Sequence, residues 1–234
     1  MLTPHHIRDL RVDPLIHPRG QPHLSAASGL VRVGRRLYAV ADDEHHLAIW
    51  QADGDAAAPI KLHRILPGDL PQDPAHRKQR KPDLEALVAL PADAAHPGGL
   101  LVALGSGSRP NRQLALAITL DSTGMPGGLP TALALADWYA PLRQRFPDLN
   151  IEGALVANGR FALLQRGNKG DARNAFIEYS LVEAHDWFAG RRNTPPAVLR
   201  IVEMALGDAG GVPVGWTDGK IGRASCRERV LQVV

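Results

Sequence analysis

The chain has 234 residues, 44% of them hydrophobic and 22% charged, with 27 Lys/Arg against 24 Asp/Glu and a formal net charge of +3. That is enough for a sizeable core within one domain, and too balanced to bind nucleic acid through charge alone. A single cysteine leaves no disulfide framework, and no run approaches the ~20 uninterrupted apolar residues of a membrane helix.

The N-terminal Met1–His6 lacks the basic start and apolar run of a secretory signal, so a cytoplasmic location is expected, with no membrane and no nucleic-acid partner. Ile7–Val12 reads as an outer strand that would complete the last blade of a ring, with no partner in this stretch of chain. Ser28–Asp43 then aligns without a gap on Glu152–Gly167, matching Gly29 with Gly153 and Arg36 with Arg160. A turn dipeptide, Gly34-Arg35 or Asn158-Gly159, splits each copy into two apolar runs, as a hairpin requires. A looser copy begins at Leu84, and another is suggested by Trp216-Thr217-Asp218. Ser28, Glu85, Glu152 and Asp218 thereby become equivalent, 57, 67 and 66 residues apart.

A repeat of a few short strands joined by tight turns predicts an all-β, incomplete β-propeller of about three four-stranded antiparallel blades. The expected blades are 27–66, 84–136 and 151–205, within a region 1–220, and the first strand of a fourth begins about 212. Propellers close with four or more blades, so the missing ones are expected from the rest of the same chain. Pro67–Lys81 reads as a solvated basic loop. Asp137–Phe146 and Leu181–Ala189 read as short helices in the links, placed to cover strand edges. Ile221–Val230 resembles a translated sequencing adapter, and 221–234 is therefore expected to be non-native. Without its three arginines and one glutamate the net charge falls to +1, and the only cysteine, Cys226, goes with it.

Strands in a blade alternate in direction, so the start of the first and the end of the second share one rim. The starts carry Ser28, Glu85, Glu152 and Asp218; the ends carry Asp42-Asp43-Glu44, Ser106–Arg109 and Arg166–Lys169. Carboxylates from several blades at one channel mouth suit a hard cation such as calcium, with Glu85, Glu152, Asn168 and Asp218 as its oxygen ligands. The same acids could instead pair with Lys81, Arg109, Arg166 and Lys169 in an inert channel lining. Gly105–Arg112 has small residues and two arginines that could cradle an anion through Ser108 and Arg109, or could form a tight surface turn. Trp216 is expected nearest the mouth, whereas the adjacent pairs His5-His6 and His45-His46 diverge and make poor metal sites.

The runs His23–Leu30, Ala41–Glu44, Lys81–Leu87, Gly105–Arg112 and Asn150–Gly153 resemble an uncharacterised family of bacterial β-propeller proteins of unknown function. The acid that opens the inner strand is similar, more distantly, to gluconolactonase-like and esterase-like phytase propellers. That likeness implies a calcium site at Glu152 or Glu85, Asn168 and Asp218. The expected activity is a metal-dependent hydrolase of a small ester, lactone or phosphoester. Glu85 and Glu152 would ligate metal or move protons, while Lys81, Ser108, Arg109, Arg166 and Lys169 would bind a small anionic substrate. The alternative is a non-catalytic propeller that binds a ligand or a protein.

Overall fold

The computed structural model describes residues 6, 8–168 and 170–219. Each of the three predicted blades is an antiparallel meander in sequence order. The first comprises β1 (Ala27–Val33), β2 (Arg36–Ala41), β3 (His46–Gln51) and β4 (Lys61–Arg64). The second comprises β5 (Leu84–Leu90), β6 (Leu100–Gly105), β7 (Leu114–Thr119) and β8 (Thr131–Ala134). The third comprises β9 (Ile151–Ala157), β10 (Arg160–Gln165), β11 (Asn174–Ser180) and β12 (Val198–Met204). After it, β13 (Asp208–Ala209) and β14 (Val212–Pro213) pair as a small hairpin.

Turn chemistry sets these hairpins. Gly34 adopts φ +58° between β1 and β2, and Asn158 and Gly159 adopt φ +49° and +70° between β9 and β10. Positive φ at these sites matches the right-handed twist of the flanking strands. The inner strands lie side by side, β1 against β5 and β5 against β9. Gly29 makes the first approach possible, because a Cβ there would meet the Leu87 backbone nitrogen at 2.6 Å. Its repeat mate Gly153 is approached by Asp218, whose Cα would lie 3.2 Å from such a Cβ. Residues 214–219 thus run beside β9 without forming a strand.

Blades one and two share a core of Val31, Tyr38, Val40 and Leu47 against Leu84, Leu87, Leu101 and Ile118. The wedge between blades two and three is larger, and two helices fill it. These are α2 (Ala136–Arg145) and α3 (Leu181–Phe188). Trp138 of α2 packs 5.0 Å from both Trp187 of α3 and Tyr179 of β11, measured between ring centroids. The helices expected to shield strand edges are therefore core elements, because only their aromatic side chains have the volume the wedge requires.

Two further readings are corrected. Pro67–Lys81 is not all loop, since α1 (Pro74–Arg80) starts where Asp73 accepts a hydrogen bond from the His76 amide at 2.8 Å. An Asp N-cap followed by Pro is a strong start signal. The segment before β1 also has partners. The Val12 amide donates to Pro22 O at 3.0 Å, the Leu24 amide to Leu10 O at 2.9 Å, and the Ile60 amide to Arg11 O at 2.8 Å. It lays Leu10, Val12 and Leu24 over the face of blade one that points away from blade two. His17 and Arg19 anchor it on the buried Glu44 carboxylate. The expected non-native tail, 221–234, lies outside the described residues.

Candidate functional site at the shared rim

One irregularity recurs in all three blades at the same repeat position. Ala27 pairs with Ala41 and Gly29 with Val40, so Ser28 is an extra residue with no opposite. Leu84 and Ala86 pair with Gly105 and Leu104, which leaves out Glu85. Ile151 and Gly153 pair with Gln165 and Leu164, which leaves out Glu152. A β-bulge of this kind bends the strand and re-aims the extra side chain. Three bulges at equivalent positions turn Ser28, Glu85 and Glu152 toward a common space.

Backbone hydrogen bonds stitch that rim across the blades. Asp83 N–H donates to Asp42 O at 3.1 Å, Ser106 N–H to Asp83 O at 3.0 Å, and Ile151 N–H to Ser106 O at 2.8 Å. Strand starts and strand ends are therefore on one rim, as their alternating direction requires.

Blade one and blade two meet there in a charged knot. The Lys81 ammonium contacts Asp42 and lies 2.7 Å from Asp83 Oδ1. Asp83 Oδ2 accepts from Ser106 Oγ at 2.6 Å and from Arg112 at 2.9 Å. Asp83 itself sits at φ +55°, a conformation that Asp tolerates better than most residues. Burial would push the Lys81 proton off, but the two carboxylates outweigh it and hold its pKa above the usual lysine value. The Gly105–Arg112 loop is thus a clamp on Asp83. Ser106 and Arg112 are buried, Ser108 accepts from Arg112 at 3.0 Å, and Arg109 is exposed.

Glu85 has no cation in contact among the described residues. Burial, followed by the charge of Asp83, raises its pKa above the usual carboxyl range, against a hydrogen bond from Ser28. The Ser28 hydroxyl also lies 3.0 Å from Ala26 O, and its single proton serves one acceptor at a time. Asp42, Asp83 and Glu85 offer oxygens that all lie within 4.8 Å of one another.

On blade three, Glu152 Oε1 accepts from Asn150 Nδ2 at 2.7 Å and forms an ion pair with Arg166 at 2.7 Å. The Glu152 side chain is only 7% exposed. Gln165, fully buried, fixes this corner by accepting the Asn150 amide at 2.8 Å. Burial first, then the charge of Glu85, push the Glu152 pKa to about 8 despite Arg166 and Asn150. Glu85 therefore lies close enough to Glu152 for its charge to be felt there.

Asn168 is exposed in a turn closed by its own amide donating to Asp171 O at 2.7 Å. Asp218 is half-buried and accepts from the Gly219 amide at 2.7 Å. Lys169 lies outside the described residues. Of the ligand set read from the sequence, Glu85 belongs to the group formed with Asp42 and Asp83. Trp216 is not at the mouth; it is fully buried with Leu155, Ala162 and Leu164 against blade three. An indole beside an uncovered apolar sheet face buries more surface there than it would at a polar rim. Asp83, Asn150 and Gln165 were not singled out as site residues. Asp83 could have been found from its place just before an inner strand, beside Lys81-Pro82.

Sequential antiparallel meanders packed through their inner strands, with polar residues gathered at one rim, define a propeller-like all-β protein. Among the described residues no helix is long and apolar enough to cross a membrane. The chain belongs to DUF6929, a family of unknown function that matches residues 23–224. No curated protein and no solved structure matches it.

Proposed function

We propose that this protein is a non-catalytic binding propeller that takes a small molecule at the rim lined by Ser28, Glu85 and Glu152. One observation carries the reading. Lys81 already bridges Asp42 and Asp83, two of the three acids in that cluster, so their oxygens are paired. Arg112 stands 2.9 Å from Asp83 and Arg166 2.7 Å from Glu152, so these acids have basic partners too. A hard cation needs six or more oxygen ligands that are free to turn toward it, and paired oxygens are poor candidates.

The closeness of Asp42, Asp83 and Glu85 favours a second reading, the calcium-dependent hydrolase. It requires Lys81 to swing out when metal enters. The resemblance to gluconolactonase-like and phytase propellers supports it only as a fold-level analogy. Calorimetric titration with calcium separates the two readings, and screening a library of small metabolites by thermal shift tests the first directly. The binding reading expects no calcium heat and at least one stabilising metabolite whose effect is lost in Glu152→Gln. Saturable calcium binding would favour the hydrolase. A library in which nothing binds the folded protein would remove the binding reading.

A further inference from the structure

We propose that the β9–β10 turn is a site of spontaneous covalent modification, at which Asn158 loses its side-chain amide and becomes an aspartyl or isoaspartyl residue. The reaction needs the backbone nitrogen of the next residue to reach the asparagine side-chain carbonyl, and a following glycine has no Cβ to obstruct that approach. Of the six asparagines, Asn158 alone precedes a glycine. Asn111, Asn150, Asn168, Asn174 and Asn193 precede Arg, Ile, Lys, Ala and Thr.

The tertiary structure leaves both reacting groups free. Asn158 and Gly159 are exposed, and the Asn158 side chain makes no hydrogen bond with any described residue. By contrast, Asn111 Nδ2 donates to Gln79 O and Lys81 O, Asn150 Nδ2 to Glu152, and Asn174 Nδ2 to Val214 O. The Gly159 N–H donates to no described residue. A Cβ built on Gly159 would meet no atom within 4 Å outside its chain neighbours. Nothing therefore packs on the turn to hold its φ of +49° and +70° when the ring closes.

Water is the only co-reactant. The Gly159 nitrogen gives up its proton and bonds to Asn158 Cγ. The Cγ–Nδ2 bond breaks, and Nδ2 leaves with that proton as ammonia. Water then opens the cyclic imide at one of its two carbonyls. One opening gives aspartate; the other gives isoaspartate, whose backbone runs through the former side-chain methylene.

The two products differ in what they do to blade three. Isoaspartate adds a carbon to a two-residue turn whose length sets the pairing of Ala157 with Arg160. Gly159 O also accepts the Leu181 amide at 3.4 Å, which ties the turn to the start of α3 and so to Trp187 and Phe188 in the wedge. The isoaspartyl form loosens this end of the blade, whereas aspartate keeps the turn, since Asp is among the residues that tolerate positive φ. The matching turn of blade one, Gly34-Arg35, has no amide to lose. The inference stands apart from the binding reading, because the turn is at the end of β9 away from Glu152.

The test ages the whole folded chain in mildly basic buffer at physiological temperature. Mass spectrometry then follows the tryptic peptide Phe146–Arg160, which carries Asn150 and Asn158 together. The expected result is the mass gain of an amide becoming an acid at residue 158, in isoaspartyl and aspartyl forms, with residue 150 unchanged. Gly159→Ala should slow the reaction about tenfold or more, because a Cβ crowds the nitrogen and restricts the backbone. Asn158→Gly keeps a turn-forming residue and should gain no mass there, which leaves a control if the alanine variant does not fold. The separated isoaspartyl fraction should melt below the unmodified chain, and the aspartyl fraction close to it. Gain at residue 150 as fast as at 158, or gain at 158 only after unfolding in urea, would overturn the site. Aspartate without isoaspartate would overturn the cyclic step. An isoaspartyl fraction that melts like the unmodified chain would overturn the effect on blade three.

Discussion

Arg166 lies 2.7 Å from Glu152, and still Glu152 keeps its proton up to about pH 8. An ion pair at that distance ordinarily pulls a carboxyl pKa down. Here the acid is buried while the guanidinium side chain is 38% exposed, so water shares the arginine and screens its pull. Desolvation and the facing charge of Glu85 prevail.

The first consequence is a pH dependence of stability. The Glu152 pKa is raised on folding from the ordinary 4.5 to about 8, so between those values the folded state holds the extra proton. The contribution is fully present below about pH 4.5 and is lost as pH rises through about 8. Glu152→Gln removes the titration. Urea unfolding should show the wild type losing roughly 2–4 kcal/mol from this group between pH 5 and pH 9, and the variant losing correspondingly less. Equal losses in both proteins would place the proton elsewhere.

Lys81→Met tests the charged knot. It leaves Asp42 and half of Asp83 without their cation in a largely buried setting. The expected cost at neutral pH is about 2–4 kcal/mol, because stranding a charge costs more than the pair contributes. Millimolar calcium should recover part of that loss in the variant and none in the wild type, read as a shift in melting temperature. A variant as stable as wild type would mean that the knot contributes no net stability.

Gly29→Ala tests the approach of the inner strands. The added Cβ would sit 2.6 Å from the Leu87 backbone nitrogen, where no side chain can move aside. The two strands must separate, and a loss of ~1–3 kcal/mol follows from overpacking. Gly127→Ala is the control, since its nearest neighbour would be 3.9 Å away. The control should change the unfolding midpoint little.

Asp93 ties the β5–β6 link to the region of α3. Its carboxylate is 3.0 Å from the His96 ring and 2.9 Å from Arg191, while His185 of α3 reaches Pro91 O at 2.9 Å. Burial pushes the Asp93 pKa up, but the His96 and Arg191 contacts outweigh it and hold the value at about 2. What this acid contributes is therefore present above the ordinary 3.8 and fades as pH falls toward about 2. Asp93→Asn should speed amide exchange in residues 91–99 at neutral pH while leaving the rim around Glu85 unchanged. Exchange altered equally at both places would show that the link and the rim open together.

Most of the architecture was legible because each element has its own local signal. Ser28–Asp43 over Glu152–Gly167 marked two hairpins, the alternation of apolar runs marked the meanders, and the repeat position marked Ser28, Glu85 and Glu152 as equivalents. Strand direction alone placed these three with Asp42 and Ser106 on one rim. Local pattern could not show which acid meets which base. Asp83 finds Arg112 across 29 residues and Lys81 finds Asp42 across 39, contacts set by how one blade packs on the next. The bulges also belong to pairing, because an extra residue exists only relative to the strand opposite. Trp216 and α2 show the same limit. A tryptophan or an amphipathic turn reads as apolar in any sequence, but only the packed blades determine which apolar face is still uncovered and needs that volume. Repeat, turn chemistry and alternation were intrinsic to the chain, while burial, charge partners and the raised pKa of Glu152 arose when the blades came together and excluded water.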